Sequence, residues 1–216
     1  MKKIGLGKCA ICGEAKECTR DHLPPKGIFV PPRPSNLVTV RACKDCNNGS
    51  SKDDEEFMVY LAMHVAGYSK KGEKLFKTAL KSLRHNKKLK RQIIRSMKPV
   101  NLTTPGGVFL GKGASIPWNN EVHNKIIERT IRGLYYHHYG EILGDKVEIE
   151  TYWHDRFPEH LNSYIVNKDW MGENEFLYIH TNIHDSPLSS MWVFEFYGAH
   201  WASGMTIDKA LPEIDI

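Results

Sequence analysis

After Cys46 the sequence contains no cysteine: all five lie among the first 46 of its 216 residues. That excludes a disulfide framework spread through the chain. No run of about 18 apolar residues occurs, so no membrane-spanning helix is expected. No basic, then apolar, then small-residue leader opens the chain, so secretion is not expected and the cytoplasm is the expected compartment. Repeats and low-complexity tracts are also missing. With 41% hydrophobic and 25% charged residues, the chain suits a soluble globular protein with one sizeable core or two small ones. Acidic residues are scarce in one place. Between Lys70 and Lys98, Glu73 stands alone against twelve Lys or Arg, a local charge of +11 in a chain whose net charge is +5. The remainder carries eighteen basic against twenty-four acidic side chains. A basic block in mildly acidic surroundings is an electrostatic footprint for a polyanion, nucleic acid above all.

The cysteines form "CAIC" (Cys9, Cys12) and "CKDC" (Cys43, Cys46), with Cys18 left over. Each pair can turn two thiolates toward one ion, and two such knuckles complete the tetrahedral shell that zinc favours. One structural zinc is therefore expected, with Cys18 as a bystander. Between the knuckles runs "TRDHLPPKGIF". Pro24 and Pro25 lack amide hydrogens and fix φ, so Asp21 and His22 are expected at a strand end or loop mouth. Asn36 follows, ahead of the strand-like "LVTV", and Asn47 comes directly after Cys46.

Taken together, the two knuckles, the Asp-His pair, Asn36 and Asn47 resemble the HNH nucleases, the ββα-metal finger family, and especially its zinc-braced branch. The matched pattern covers about residues 9 to 60. The resemblance implies two strands and a helix that hold one catalytic divalent ion, Mg²⁺ or Mn²⁺, against a scissile phosphate, with the zinc bracing them from the side. It implies Asp21 as a ligand of that ion, His22 as the general base, Asn36 as the residue orienting the imidazole, and Asn47 as the second metal ligand. Asn47 replaces the final His of the name-giving pattern, and Asn48 leaves that assignment open by one residue.

The chemistry fits these residue types. Histidine, with an unperturbed pKa of about 6.5, is a natural base for activating water. A hard ion prefers the oxygens of Asp21 and an Asn carbonyl. Lys26 and Lys52 are candidate phosphate contacts, and Lys77, Lys81, Arg84, Lys87, Lys88 and Arg91 of the basic block are candidate nucleic-acid contacts. The function expected is metal-dependent hydrolysis of nucleic acid, duplex DNA favoured, in phage defence, a mobile element or phage DNA processing. Two alternatives stand beside it: a non-catalytic zinc module that binds nucleic acid or a protein partner, and an RNase toxin using the same site.

The expected fold class is α+β: a finger over 1–67, a basic helical segment over 68–98, a connector over 99–120 and a helix-plus-antiparallel-sheet region over 121–216. "SSKDDEEFMVYLAMHVAGY" reads as the finger's helix, N-capped by Ser50 or Ser51 and C-capped at Gly67, with His64 in the core. Leu75, Phe76, Ala79, Leu80 and Leu83, then Leu89, Ile93, Ile94 and Met97, predict two amphipathic helices broken near His85-Asn86. Pro, Gly and Asn punctuate 99–120, where a hairpin fits. "EVHNKIIERTIRGLYYHHYGE" predicts a helix ending at Gly140, and "KVEIETYW", "EFLYIHTNI", "SMWVFEFYG" and "WASGMTID" predict strands. His137, His138, His154, His180 and His184 match no ligand spacing, so no second metal site is expected from them, and the aromatics of this half serve mainly as core.

Overall fold

The computed structural model describes residues 3–157, 167–183 and 186–210. His184 lies outside the described residues. The class is mixed α+β, and its sheets are antiparallel. Strands β1 (Lys3–Lys8), β2 (Ala15–His22) and β3 (Thr39–Cys43) form a three-stranded sheet in the order β1-β2-β3. The β2–β3 register sets Cys18 opposite Cys43 and His22 opposite Thr39. β2 stops at His22 because Pro24 and Pro25 follow after Leu23 and supply no ladder donors. A short 3-10 turn (Lys26–Ile28) leads away from it.

One helical turn, α1 (Lys44–Asn47), carries Cys46 and Asn47, and α2 (Ser51–Val65) follows. Ser50 holds the N-cap position of α2. Its hydroxyl donates back to the carbonyls of Cys46 (3.0 Å) and Asn47 (2.9 Å), which locks α1 onto α2 rather than capping an amide. The C-cap is Ala66, one residue before Gly67. His64 is exposed at the rim of the core, with Nε2 3.2 Å from the Ala199 carbonyl.

The basic block folds as α3 (Lys70–His85) and α4 (Lys87–Ser96). Asn86 ends the first and caps the second, accepting from Leu89 N at 3.0 Å. Leu75, Ala79, Leu89 and Ile93 face inward, whereas Leu80 and Ile94 of the expected apolar faces stay exposed. A hairpin, β4 (Lys98–Thr103) and β5 (Phe109–Ser115), occupies the connector and exposes Leu102, Val108, Phe109 and Leu110.

Helix α5 (Asn120–Tyr139) is capped by the Asn119 side chain and ends at Gly140, whose φ of 70° is the left-handed conformation glycine adopts readily. Strands β6 (Val147–His154), β7 (Asn167–Met171), β8 (Phe176–Ile183), β9 (Ser186–Phe196) and β10 (His200–Asp208) form one sheet in the order β6-β10-β9-β8-β7. The short edge strand β7 was not among the predicted strands. Its five residues are mostly exposed and carry little apolar alternation.

The main core lies between α2, α5 and this sheet, and includes Phe57, Leu61, Ile127, Ile131, Trp192 and Phe196. A smaller cluster around Cys9, Leu23, Val40 and Cys43 fills the N-terminal finger, and Tyr136 of α5 packs on it. The two come close at Gly133. A Cβ on Gly133 would collide with the buried side chain of Leu23, so glycine lets α5 press this closely on the segment leaving β2. Tyr197 adds a tie, donating to the Ile28 carbonyl at 2.5 Å. Among the described residues no helix is long and apolar enough to cross a membrane.

Candidate functional site

The four knuckle cysteines converge, with their sulfurs all within 4.8 Å of one another. They fit a zinc ion. A tetrahedral shell with zinc–sulfur bonds of about 2.3 Å spaces its sulfurs by about 3.8 Å, and Cys12 Sγ lies 3.9 Å from Cys43 Sγ. Cys9 Sγ accepts from the backbone amides of Ile11 (3.4 Å) and Cys43 (3.3 Å), which turns the sulfur toward its partners. The Cys46 thiol, hydrogen-bonding to Cys9, pulls it down to about 4. That same bond, followed by burial, pushes Cys46 up, and burial pushes Cys12 up to about 11. One thiolate thus holds back its neighbours, the imbalance a divalent cation relieves. Cys18 stands outside the quartet, its thiol facing the Gly7 and Lys16 carbonyls at 3.4 Å.

Beside the quartet, β2, the 3-10 turn, α1 and α2 enclose a cleft of about 510 Å³. Asp21, His22 and Asn47 all line it. Asp21 is 6% exposed. Its Oδ1 accepts from His22 N at 2.9 Å, and its Oδ2 is buried without a hydrogen-bond partner. Burial raises the Asp21 carboxyl to about 6, with the nearby cation of Arg129 opposing and the carboxylate of Asp54 adding to the rise. Asn47 donates through Nδ2 to Thr19 Oγ1 (2.9 Å) and the Arg20 carbonyl (3.1 Å). Both amide protons are spent on β2, which leaves Oδ1 to meet a ligand. Asn48, the alternative by one residue, is exposed and also lines the cleft. His22 is half-buried, and desolvation followed by the charges of Lys26, Arg33 and Arg20 lowers its pKa. At neutral pH the imidazole is a proton acceptor.

Asn36 is placed elsewhere. Its Nδ2 donates to the Trp170 carbonyl at 2.8 Å and its Oδ1 accepts from Gly172 N at 3.1 Å, so its amide clamps the end of β7 and does not orient His22. The loop before β3 lies against that edge strand, a neighbour no local pattern announces. Lys26 lines the cleft, whereas Lys52 is exposed on the first turn of α2 outside the lining. Lys77, Lys81, Arg84, Lys87, Lys88 and Arg91 are all exposed on α3 and α4. Glu55 joins these helices to the cleft: it lines the wall and accepts from the Ser82 hydroxyl and from Asn86 Nδ2 at 2.8 Å.

Besides Glu55, other charged cleft residues escaped the sequence reading. Arg20 and Arg33 add positive charge to its wall, and Asp54 in the first turn of α2 faces it. Behind Asp54 stands Arg129 of α5, 6% exposed. Its guanidinium donates to Asp54 Oδ1 at 2.5 Å, to the Ser50 hydroxyl and to the Cys46 carbonyl at 3.4 Å. A signal existed for it: three residues after Ile126, a lone arginine sits on the apolar face of its helix, where a charge persists only if paired.

The chain matches no family model, no curated protein and no solved structure.

Proposed function

We propose that the protein is a metal-dependent endonuclease of the HNH kind, hydrolysing phosphodiester bonds of nucleic acid, with duplex DNA as the first substrate. The observation that carries the reading is the buried Oδ2 of Asp21, which has no hydrogen-bond partner and shares one cleft with His22 and an Asn47 whose amide nitrogen is already anchored. Buried polar atoms are rarely left without a partner, and a hard cation is the partner these oxygens suit. Asp21 and Asn47 are the residues that would hold Mg²⁺ or Mn²⁺, which when bound supplies Lewis-acid charge compensation at a phosphate. His22, kept neutral by burial and neighbouring cations, takes the proton of the attacking water. Arg20, Lys26 and Arg33 receive the phosphate backbone at the cleft wall. The exposed cations of α3 and α4 extend that footprint along the duplex.

The clamp of Asn36 on β7 favours keeping a second reading, a non-catalytic zinc module that binds nucleic acid. One assay separates the two. Purified protein is incubated with supercoiled plasmid, single-stranded DNA and RNA in Mg²⁺, Mn²⁺ or EDTA. The nuclease reading expects nicking in Mg²⁺ or Mn²⁺, none in EDTA, and none from His22→Ala protein that still holds zinc and binds DNA. Binding without cleavage under every condition establishes the second reading, and cleavage of RNA alone reassigns the substrate.

A further inference from the structure

We propose that the C-terminal half holds a second metal site, formed by His138, Asp169 and His180, for a first-row divalent ion of the zinc type. The three come from α5, the edge strand β7 and β8, and their donor atoms lie within 4.8 Å of one another. Asp169 Oδ2 is 3.9 Å from His138 Nε2 and 3.8 Å from His180 Nε2, too far for hydrogen bonds and close to a shared ion's spacing. A tetrahedral shell with bonds of about 2.0–2.1 Å sets its donors about 3.4 Å apart, so a movement of about half an ångström brings the acid to that spacing from each imidazole. The Asp169 side chain is 49% exposed on an edge strand and can make that movement.

The independent observation is His180. The residue is 4% exposed, yet its Nε2 is buried without a hydrogen-bond partner and points toward Asp169. Its other ring nitrogen, Nδ1, meets the Tyr139 hydroxyl at 2.8 Å, and its ring stacks on Trp192 with centroids 4.7 Å apart and planes 13° apart. Both contacts hold the imidazole so that Nε2 faces the acid, the support that metal-binding histidines receive from neighbouring groups. His138 Nε2 lies 2.9 Å from the Tyr178 hydroxyl, so an ion would take a lone pair that this hydroxyl otherwise meets. Two imidazoles and one carboxylate select transition ions over Mg²⁺ or Ca²⁺. Three protein ligands leave one position open. Such an ion staples α5 to β7, the last strand of the five-stranded sheet, whose end Asn36 clamps.

The test uses the full chain carrying Asp21→Asn, which removes the cleft as a competing site. Zinc is counted by elemental analysis after equilibration with free Zn²⁺, and two equivalents per chain are expected. Adding Asp169→Asn, or separately His138→Gln, should leave one equivalent and unchanged circular dichroism. Titrating Co²⁺ into protein whose four-cysteine site is already filled with zinc should quench tryptophan emission through Trp192. The added bands should be weak d–d absorption without sulfur charge transfer, and both signals should vanish in Asp169→Asn. A single equivalent in the parent, or a second equivalent that survives both substitutions, overturns the site.

Discussion

Arg129 Nε lies 4.0 Å from Asp21 Oδ2, and both atoms are buried without a hydrogen-bond partner. The cation is drawn instead onto Asp54 at 2.5 Å. Two carboxylates and one guanidinium leave this buried corner one charge short of neutral when all are ionised, which suits the arrival of a cation. The acid belongs to the finger and the arginine to α5, so the C-terminal half completes the electrostatics of the cleft.

Replacing Arg129 with Met should therefore destabilise the protein by about 3–5 kcal/mol at pH 7, because Asp21 and Asp54 are left as buried like charges. The loss should shrink at pH 5, where the Asp21 carboxyl, already pushed up to about 6 by burial, takes up its proton. Urea denaturation at the two pH values checks the sign. An equal loss at both would reduce Arg129 to packing.

Asp21→Asn should stabilise the protein in EDTA while removing its response to Mg²⁺. The folded-state pKa of Asp21, about 6, exceeds the ordinary 3.8, so its contribution is fully present below 3.8 and is lost as pH rises through 6. At pH 7 the ionised acid costs up to about 2–3 kcal/mol, which the neutral amide avoids. Thermal melts at pH 7 with EDTA should show the variant higher. Melts with added Mg²⁺ should raise the parent alone.

Cleavage should rise with pH as His22 loses its proton, with a midpoint below the ordinary value of 6.5. Lys26→Ala removes one of the cations that lower it, so the midpoint should move up toward that value. A pH–rate profile of the two proteins under single-turnover conditions measures the difference. A profile that ignores Lys26 would place the titrating group elsewhere.

Purified protein should contain zinc bound by thiolates, and Cys43→Ser should lose it together with the fold of the finger, since structural zinc binding is folding free energy. Cys18→Ser, outside the quartet, should keep the thiolate-bound zinc. Elemental analysis with amide exchange of β2 and β3 distinguishes the two variants.

Changing Lys77, Lys81, Arg84 and Lys88 together to Gln should weaken DNA binding evenly across sequences. The log–log slope of its salt dependence should flatten by about 0.9 for each phosphate these cations no longer neutralise. All four residues are exposed, so stability should stay within about 0.5 kcal/mol for each. An unchanged slope would make this a solvated face.

Features governed by neighbours in the chain were legible from residue order. The two knuckles announce four thiolates for one ion, and Pro24 and Pro25 end β2 at His22. Apolar recurrence separates α3 from α4 at Asn86, and alternation marks β6, β8, β9 and β10. Each depends on contacts within a helix turn, a strand or a tight loop, where spacing and stereochemistry suffice. What joins distant segments was decided by packing. Asn36 meets Trp170 across 134 positions, and Arg129 reaches Asp54 across 75. His138, Asp169 and His180 come from three elements that share no ligand spacing. Those encounters exist because α5 buries one face against both the finger and the sheet, and Gly133 lets it close on Leu23. Periodicity shows that a helix has an apolar face. Which partners that face meets, and which polar groups are carried inward with it, follows only from how the hydrophobic surfaces close on one another.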